Sequence, residues 1–343
     1  MRTQAAILTE FNRLVIDEID LPPLKPGQVL VEIKYSGVCH TQLLEVRGHR
    51  GPDPYLPHCL GHEGSGVVLE VGPKVEKVKA GDTVILSWMK GSGANVPGSV
   101  YEWKGKKVNA GAITTFSRHS ILSENRLTPI SAEFPLKDAA LIGCMVPTGL
   151  GVVFNTAQPK AGESLAVFGC GGIGLSALLG AQVIGCVPRI AVDINPEKLR
   201  VAKALGATHC INAAEEDPAA AIQKIGALDF AIEASGSPVA MKQALKCVRP
   251  QGGTAVIVGN AKTGQELSFD PKEMNQGKRL LGTWGGDNLP DIHFPRYCNL
   301  IRYGHLKLTP FIEKTYSLSA IDQALADLET GKVVRPLIDM ALP

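Results

Sequence analysis

Four glycines within six residues, in the run Gly169-Cys170-Gly171-Gly172-Ile173-Gly174, constrain the fold more than any other feature of the sequence. The run follows a largely apolar stretch that is typical of a buried strand, and it precedes an uncharged stretch typical of a helix that ends near Gly185. In such a turn the first glycine allows the tight bend, the second lets the backbone approach a pyrophosphate, and the third lets the helix pack closely on the strand. The N–H groups of the helix's first turn then favour an anion. The sequence therefore predicts a dinucleotide-binding strand–turn–helix unit.

The second half of the chain alternates apolar strand patterns with helical ones. We predict strands near residues 190–193, 208–212, 229–233 and 254–258. This alternation favours a doubly wound parallel sheet. Asp193 ends the second strand, 19 residues after Gly174. A carboxylate there would accept hydrogen bonds from the adenosine ribose and repel a 2′-phosphate, which predicts NAD rather than NADP.

The first 147 residues have a different pattern. Short alternating strands, such as residues 28–35 and 64–72, are joined by turns that contain glycine or proline. A length of 343 residues also exceeds what one hydrophobic core usually serves. We therefore expect two domains of different architecture.

Three residues in this chain carry metal-ligand chemistry within short motifs. Cys39 begins Cys-His-Thr, His62 lies in Gly-His-Glu, and Cys144 follows a glycine. Two thiolates and one imidazole suit Zn²⁺ and leave a fourth tetrahedral position for water or substrate. Their spacings of 23 and 82 residues are not those of a zinc finger, so the fold must bring them together.

Taken together and in this order, these motifs and the glycine turn resemble the zinc-dependent alcohol dehydrogenases of the medium-chain dehydrogenase/reductase family. The resemblance covers nearly the whole chain. It implies an α/β fold with a GroES-like, distorted β-barrel catalytic domain at 1–147 and 303–343, and a Rossmann NAD-binding domain at 148–302. The active site would lie between the two domains.

The resemblance also implies roles for individual residues. Thr41 would bind the substrate oxygen and begin a proton relay, and Glu63 would lie beside the zinc. The cofactor would be bound by the turn and by further residues: His40, Thr148, Gly169, Gly171, Gly172, Ile173, Gly174, Asp193, Lys198 and Arg335. Of these, His40 and Arg335 match positions that contact the pyrophosphate, and Lys198 one that contacts the ribose. Trp88 matches a bulky residue of the substrate pocket, although it could equally be core packing.

Three departures from the family pattern stand out. Gln42 replaces an aspartate found in many relatives, and Leu44 stands where some place a relay histidine. Leucine cannot carry a proton, so any relay would run from Thr41 through the nicotinamide ribose to water or another side chain. The third departure concerns a lobe with four cysteines that binds a structural zinc in typical members. No cysteine occurs between Gly81 and Gly111, and we therefore predict one catalytic zinc per subunit.

These features predict reversible oxidation of a primary or secondary alcohol, a polyol or a sugar-derived alcohol by NAD⁺, with the alcohol or carbonyl compound as the small-molecule partner. Two alternatives remain open. One is a zinc-free quinone or enoyl reductase of the same superfamily, and the other is a non-catalytic binding protein that retains the fold. Family members pair through edge strands of the cofactor domain, so a homodimer or homotetramer is expected.

The charge balance excludes some partners and suggests a compartment. A net charge of +2 without a basic stripe argues against nucleic acid. Residues 165–187 are uncharged and long enough to span a bilayer, but the glycine turn interrupts them, so we expect no membrane span. Eight cysteines without a Cys-x-x-Cys pair, and an N-terminus without a long apolar core, favour the reducing cytoplasm.

Overall fold

The computed structural model describes residues 1–312 and 314–343. The chain divides into two compact units, Met1–Cys144 with Leu289–Pro343, and Met145–Asn288. The sequence-based boundaries were 147 and 302. The helix at residues 290–302 belongs by its contacts to the first unit, where Phe294 and Tyr297 are buried.

Strand length varies widely in the first unit, whereas the strands of the second unit are all short. The first ten are β1 (Arg2–Glu10), β2 (Arg13–Asp20), β3 (Gln28–Gly37), β4 (His58–Cys59), β5 (Glu63–Val71), β6 (Thr83–Ser87), β7 (Val100–Trp103), β8 (Lys106–Asn109), β9 (His119–Ser123) and β10 (Leu127–Ile130). The second unit supplies β11 (Leu165–Phe168), β12 (Arg189–Asp193), β13 (His209–Asn212), β14 (Phe230–Glu233), β15 (Thr254–Ile257) and β16 (Arg279–Gly282). Near the C-terminus lie β17 (Thr315–Tyr316) and β18 (Leu337–Asp339).

The helices are concentrated in the second unit. In chain order they are α1 (His40–Val46), α2 (Leu136–Leu141), α3 (Met145–Gly151), α4 (Gly172–Ile184), α5 (Pro196–Ala204), α6 (Pro218–Ile225), α7 (Pro238–Cys247), α8 (Lys272–Asn275), α9 (Pro290–Arg302) and α10 (Ile321–Glu329). A π-helical segment, Val152–Ala157, continues α3, and 3₁₀ turns lie at Glu124–Arg126, Thr309–Phe311 and Leu318–Ala320.

The first unit combines a small closed barrel with a larger sheet. The barrel has the order β1-β2-β7-β8-β4, and its interior is filled by residues such as Ile7, Tyr101 and Val108. The larger sheet has the order β10-β6-β5-β3-β18-β17, with β9 also paired to β3. Alternating side chains of β3 and β5 pack into its core together with α10. The predicted GroES-like β-barrel domain is confirmed.

The second unit is a six-stranded parallel sheet of order β13-β12-β11-β14-β15-β16. The order reverses between β11 and β14, which is where doubly wound sheets bind ligands at the carboxyl ends of their strands. All four residues of β11 are buried, as expected for a central parallel strand. The predicted doubly wound fold is confirmed; β13, β14 and β15 are each one residue shorter than expected, and β12 is one residue longer.

The uncharged stretch at residues 165–187 is divided between β11, the glycine turn and α4. Across residues 1–312 and 314–343, no helix combines the length and the apolar composition that a bilayer crossing requires.

Candidate metal centre and cofactor turn

Cys39, His62 and Cys144 come together within the first unit. The three ligand atoms all lie within 4.8 Å of one another. Cys39 is the residue before α1, His62 immediately precedes β5, and Cys144 follows α2. The predicted set therefore converges, although its members are far apart in the sequence.

A glycine makes this convergence possible. A Cβ at Gly143 would lie 2.4 Å from the Leu86 carbonyl oxygen and 2.8 Å from Glu63 Cβ. No larger residue could bring Cys144 this close to β5 and β6 without moving the backbone.

The site fits a tetrahedral zinc ion. His62 Nε2 lies 3.3 Å from Cys144 Sγ, close to the roughly 3.5 Å that Zn–N and Zn–S bonds of ordinary length impose between two ligands. Cys39 and Cys144 are buried and His62 is half-buried. Two sulfurs and one imidazole leave one coordination position, the arrangement of catalytic rather than structural zinc sites.

Of the two ligand thiols, Cys144 holds its proton more strongly than Cys39. The pKa of Cys39 lies well below its usual value, chiefly because the Cys144 thiol hydrogen-bonds to it; burial opposes this shift and Arg335 assists it. The pKa of Cys144 is raised by the same hydrogen bond and by burial. Metal binding would release the Cys144 proton, as thiolate ligation requires.

Glu63 and Arg335 form an ion pair beside the ligands. Arg335 Nη2 donates to Glu63 Oε1, and the two side chains are 5% and 0% exposed. Burial alone would lower the pKa of Arg335, but the charges of Glu63, Cys39 and Cys144 raise it. Arg335 is therefore not an ordinary surface arginine, and its contact with a pyrophosphate stays a prediction.

Gln42 contacts two of the three ligands, a role that its sequence position alone did not indicate. Its Oε1 accepts a hydrogen bond from the Cys39 backbone N–H at 3.0 Å, and its Nε2 contacts His62 Nδ1. Gln42 is 2% exposed and occupies the third position of α1. The contact with Cys39 could have been found from the position of Gln42, because a polar residue at the third position of a helix commonly bonds back to the residue before the helix.

Two further predicted residues lie beside the centre. Thr41 is half-buried, and its Oγ1 is 3.8 Å from Cys39 Sγ. The Trp88 backbone N–H donates to the His62 carbonyl at 3.1 Å, and its indole Nε1–H donates to Cys144 Sγ at 3.2 Å. His40 is exposed on α1 and stays a predicted cofactor contact.

His58 and Cys59, which could be mistaken for ligands, lie outside the cluster. His58 Nε2 is paired with Asp53 Oδ2 at 2.8 Å. Burial raises the pKa of the Cys59 thiol to about 12. Neither residue therefore belongs to the metal cluster.

The geometry of the glycine turn in the second unit is compatible with the three roles that its sequence predicts. Gly169 has a φ of +95°, and a Cβ there would lie 2.7 Å from Ser235. A Cβ at Gly171 would meet no atom within 4 Å, so this glycine leaves open space. A Cβ at Gly174 would lie 1.9 Å from the Gly169 carbonyl oxygen. Because these positions carry no side chains, the backbone of the turn stays accessible to a ligand.

Asp193 lies beside this turn. Its Oδ2 accepts a hydrogen bond from the Cys170 backbone N–H at 2.6 Å, and its Oδ1 accepts one from Asn195 at 2.9 Å. Lys198, in the first turn of α5, is half-buried near Cys170. Thr148 is buried in α3. Ile173 is the second residue of α4, and all of these assignments as cofactor contacts stay predictions.

Family comparisons match both units. Residues 172–301 match the model described as "Zinc-binding dehydrogenase", and residues 25–132 match "Alcohol dehydrogenase GroES-like domain". A curated S-(hydroxymethyl)glutathione dehydrogenase of Synechocystis sp. is 35% identical over 98% of this chain and 100% of its own length. One of Escherichia coli is 34% identical with the same coverage.

Solved structures match over the full chain as well. An alcohol dehydrogenase zinc-binding domain protein of Burkholderia ambifaria aligns with a TM-score of 0.92 at 30% identity, covering 100% of this chain and 99% of its own. Benzyl alcohol dehydrogenase of Acinetobacter calcoaceticus aligns with a TM-score of 0.91 at 31% identity, covering 99% of each chain.

Proposed function

Because the chain belongs to the zinc-dependent alcohol dehydrogenases of the medium-chain dehydrogenase/reductase family, we propose that it oxidises apolar primary alcohols, benzylic ones among them, with NAD⁺. Its reaction is the transfer of hydride between an alcohol and a nicotinamide cofactor. The observation that carries the substrate class is the hydrogen bond from the Trp88 indole to Cys144 Sγ at 3.2 Å. This bond holds an aromatic ring next to a metal ligand. An indole at that position would give apolar substrate carbons a surface to pack on and would offer a polyol little hydrogen bonding.

The chemistry follows from the groups around the ligands. Cys39, His62 and Cys144 would hold a zinc ion, which would act as a Lewis acid that polarises the alcohol oxygen and lowers the pKa of the hydroxyl. Thr41, with Oγ1 3.8 Å from Cys39 Sγ, is near enough to this centre to accept the hydroxyl proton. When bound, the nicotinamide would supply the acceptor for the hydride that the alcohol carbon loses as the alcohol is oxidised to an aldehyde.

A proton relay along α1 cannot continue from Thr41 to Leu44. Leu44 follows Thr41 by three residues, and so faces the same side of the helix, yet it has no group that can take a proton. Beyond Thr41 the proton would reach water by a route that does not follow α1. We expect oxidation to be faster at alkaline pH because hydroxide in the solvent then accepts this proton.

Asp193 supports NAD over NADP. Its carboxylate accepts the Cys170 backbone N–H at 2.6 Å and therefore stands against the glycine turn. A 2′-phosphate bound at the end of β12 would bring two further negative charges towards it.

A second candidate substrate is S-(hydroxymethyl)glutathione. It is favoured by the curated relatives of that name, which match this chain over 98% of its length. Like a benzylic alcohol, it would present a primary hydroxyl to the metal, so the same centre could oxidise either compound.

Initial rates of NADH formation distinguish these substrates. The panel contains benzyl alcohol, ethanol, a hexitol, and formaldehyde with and without glutathione. The proposal predicts the highest kcat/KM for benzyl alcohol and a preference for NAD⁺ over NADP⁺. A rate that depends on glutathione and exceeds the rate with benzyl alcohol would replace the first candidate by the second, and a preference for the hexitol would contradict both.

We also propose that a second copy of this chain pairs with the edge strand β16, and that the protein works in the cytoplasm. Leu281 in β16 is 39% exposed and nearby Trp284 is 79% exposed, so this edge carries apolar surface that a symmetric partner could cover. None of the eight cysteines, all of which the structure describes, forms a disulfide, which suits a reducing compartment. Light scattering of wild-type protein and Trp284→Glu would test the pairing, since the variant should become monomeric.

A further inference from the structure

The loop at residues 88–98 lies in the cysteine-free stretch between Gly81 and Gly111, and it has little hydrophobic core of its own. Met89 is its only buried residue, Trp88 and Val96 are half-buried, and most of the others are exposed. An exposed loop that buries so little apolar surface needs other interactions to hold one conformation.

Several of those interactions come from one short 3₁₀ turn, Glu124–Arg126, which we call the 124–126 clip; Ser123 and Asp291 supply others. Its three residues are consecutive and polar, yet they are only 2%, 3% and 9% exposed. Buried polar side chains of this kind are retained where they satisfy backbone groups.

Glu124 binds the middle of the loop. Its Oε2 accepts the Ala94 N–H at 2.7 Å, while its Oε1 accepts the N–H groups of Glu76 and Lys77 at 2.6 and 2.5 Å. Three backbone donors on one carboxylate tie the loop to the turn before β6, and charge-assisted bonds of this type are stronger than neutral ones. Gly93 fits against this carboxylate, because a Cβ there would lie 2.7 Å from Oε2.

Asn125 and Arg126 bind the start of the loop. The Asn125 carbonyl accepts the Gly91 N–H at 2.8 Å, and its own N–H donates to the Ala94 carbonyl at 3.2 Å. Arg126 Nη1 donates to the Trp88 carbonyl. The clip therefore binds the loop at Trp88, Gly91 and Ala94.

Trp88 connects the clip to the metal centre. On one side its carbonyl is held by Arg126. On the other side its backbone N–H donates to the His62 carbonyl, and its indole N–H donates to Cys144 Sγ. Any movement of the loop would therefore shift Trp88, which contacts the segments that carry His62 and Cys144.

We propose that the 124–126 clip is a positioning element that takes the place of a structural zinc, holding the 88–98 loop so that Trp88 is fixed against Cys144 and shapes the substrate side of the metal centre. The role of Trp88 as a pocket wall rests on the proposed function, whereas the attachment of the loop does not. Two separate measurements therefore test the two parts.

Hydrogen–deuterium exchange of the zinc-loaded protein tests the attachment. Glu124→Gln leaves one acceptor oxygen for three backbone donors, so amides of residues 76–77 and 88–98 should exchange about 10- to 100-fold faster, the effect of losing a charged hydrogen bond. Glu133→Gln is the matched control, because this substitution makes the same chemical change at a side chain that is 86% exposed. Unchanged exchange in Glu124→Gln would overturn the proposal. Should that variant not fold, Ser123→Ala serves instead, since Ser123 Oγ donates to the Ala94 carbonyl at 2.6 Å.

Steady-state kinetics test the positioning. Arg126→Met should raise KM for benzyl alcohol about tenfold relative to ethanol, the discrimination that an apolar pocket contact provides, with kcat and zinc content retained. Arg126→Lys should recover most of the loss. Equal changes for both alcohols, or loss of zinc, would overturn the positioning role. If Trp88→Ala leaves the ratio of the two KM values unchanged, the pocket wall of the proposed function fails, while the exchange result still decides the attachment.

Discussion

The metal centre draws its ligands from positions 39, 62 and 144, whereas the glycine turn is a single segment of six residues. The turn acts through its backbone, and its side chains matter mainly by being absent. The metal centre acts through side chains, and each ligand needs neighbours that hold it in place. Gln42 holds Cys39 and His62, and Gly143 makes room for Cys144. Function in the turn is therefore sensitive to added atoms, and function in the centre is sensitive to lost ones.

Loss of a metal ligand gives the largest expected effect. Cys144→Ser should abolish zinc retention and lower kcat/KM for alcohol oxidation by about 10³-fold or more, because the Lewis acid contributes several kcal/mol to the barrier. The affinity for NADH, read by fluorescence titration, should stay within twofold of the wild type. A parallel loss of NADH affinity would show that the two regions are not independent, contrary to the comparison. Cys210→Ser, at an exposed thiol, is the control.

Adding one methyl group to the turn should separate folding from binding. At Gly174 a Cβ would lie 1.9 Å from a carbonyl oxygen, so Gly174→Ala should lower the free energy of unfolding by about 4 kcal/mol or more. At Gly171 a Cβ meets nothing within 4 Å, so Gly171→Ala should cost about 1 kcal/mol, the loss of a helix-capping preference, and mainly weaken NADH binding. Chemical denaturation and NADH titration of both variants check this, and equal losses of stability would refute the assigned roles.

Removal of the amide beside the ligands should weaken the metal site without touching the turn. Gln42→Leu removes the contacts to Cys39 N and His62 Nδ1, and loss of such outer contacts typically costs about 10- to 100-fold in metal affinity. Competition with a chelator measures this, and Gln265→Leu, at an exposed position, is the control. Wild-type zinc affinity in Gln42→Leu would mean that the ligands need no such support.

Removal of one charge beside the turn should change the choice of cofactor. Asp193→Asn keeps an acceptor for backbone N–H groups but removes the negative charge, so the ratio of kcat/KM for NAD⁺ over NADP⁺ should fall about tenfold, equivalent to one lost charged contact. Zinc content should not change. A constant ratio would show that another residue excludes the 2′-phosphate.

The smallest effects concern two carboxyl groups of the second unit that respond oppositely to pH. Burial raises the pKa of Asp229, but hydrogen bonds from Arg249 and Ser164 outweigh it and the net pKa is lowered, so Asp229 stabilises the fold above the pKa of the unfolded chain and loses this contribution as pH falls. Burial raises the pKa of Glu233, so its contribution is present in acid and is lost as pH rises.

Thermal unfolding of two variants checks the signs. Asp229→Asn should cost about 1 kcal/mol near pH 7 and less near pH 3. Glu233→Gln should be better tolerated near pH 7 than near pH 3, relative to wild type, because it removes a carboxyl that resists ionisation. The same pH trend in both variants would contradict the opposite shifts.

The sequence was sufficient where a short motif determines the chemistry. The glycine turn predicted its own strand, helix and backbone geometry, because glycine spacing alone permits the close contacts seen at Gly169 and Gly174. The ligands Cys39, His62 and Cys144 were predicted because each lies in a short motif, and the structure brings the three together.

The sequence was insufficient where tertiary contacts decide. The edge strand β16 has exposed ends and no apolar run, so it shows no strand pattern. The hairpin of β7 and β8 depends on Lys104 and Gly105, both with positive φ, rather than on strong alternation. The contact of Gln42 with His62 and the contacts of the 124–126 clip with the 88–98 loop join residues that are distant in sequence, so they become visible only in the fold.

Stoichiometric zinc return to metal-free protein tests the central claim most directly. The chelated enzyme is titrated with Zn²⁺ while NADH formation from benzyl alcohol and bound metal are measured together. The account predicts no turnover without metal and a linear rise that ends at one zinc per subunit, with Cys144→Ser neither binding the metal nor recovering activity. Full turnover in metal-free protein, or a fully zinc-loaded protein that oxidises no alcohol, would contradict it.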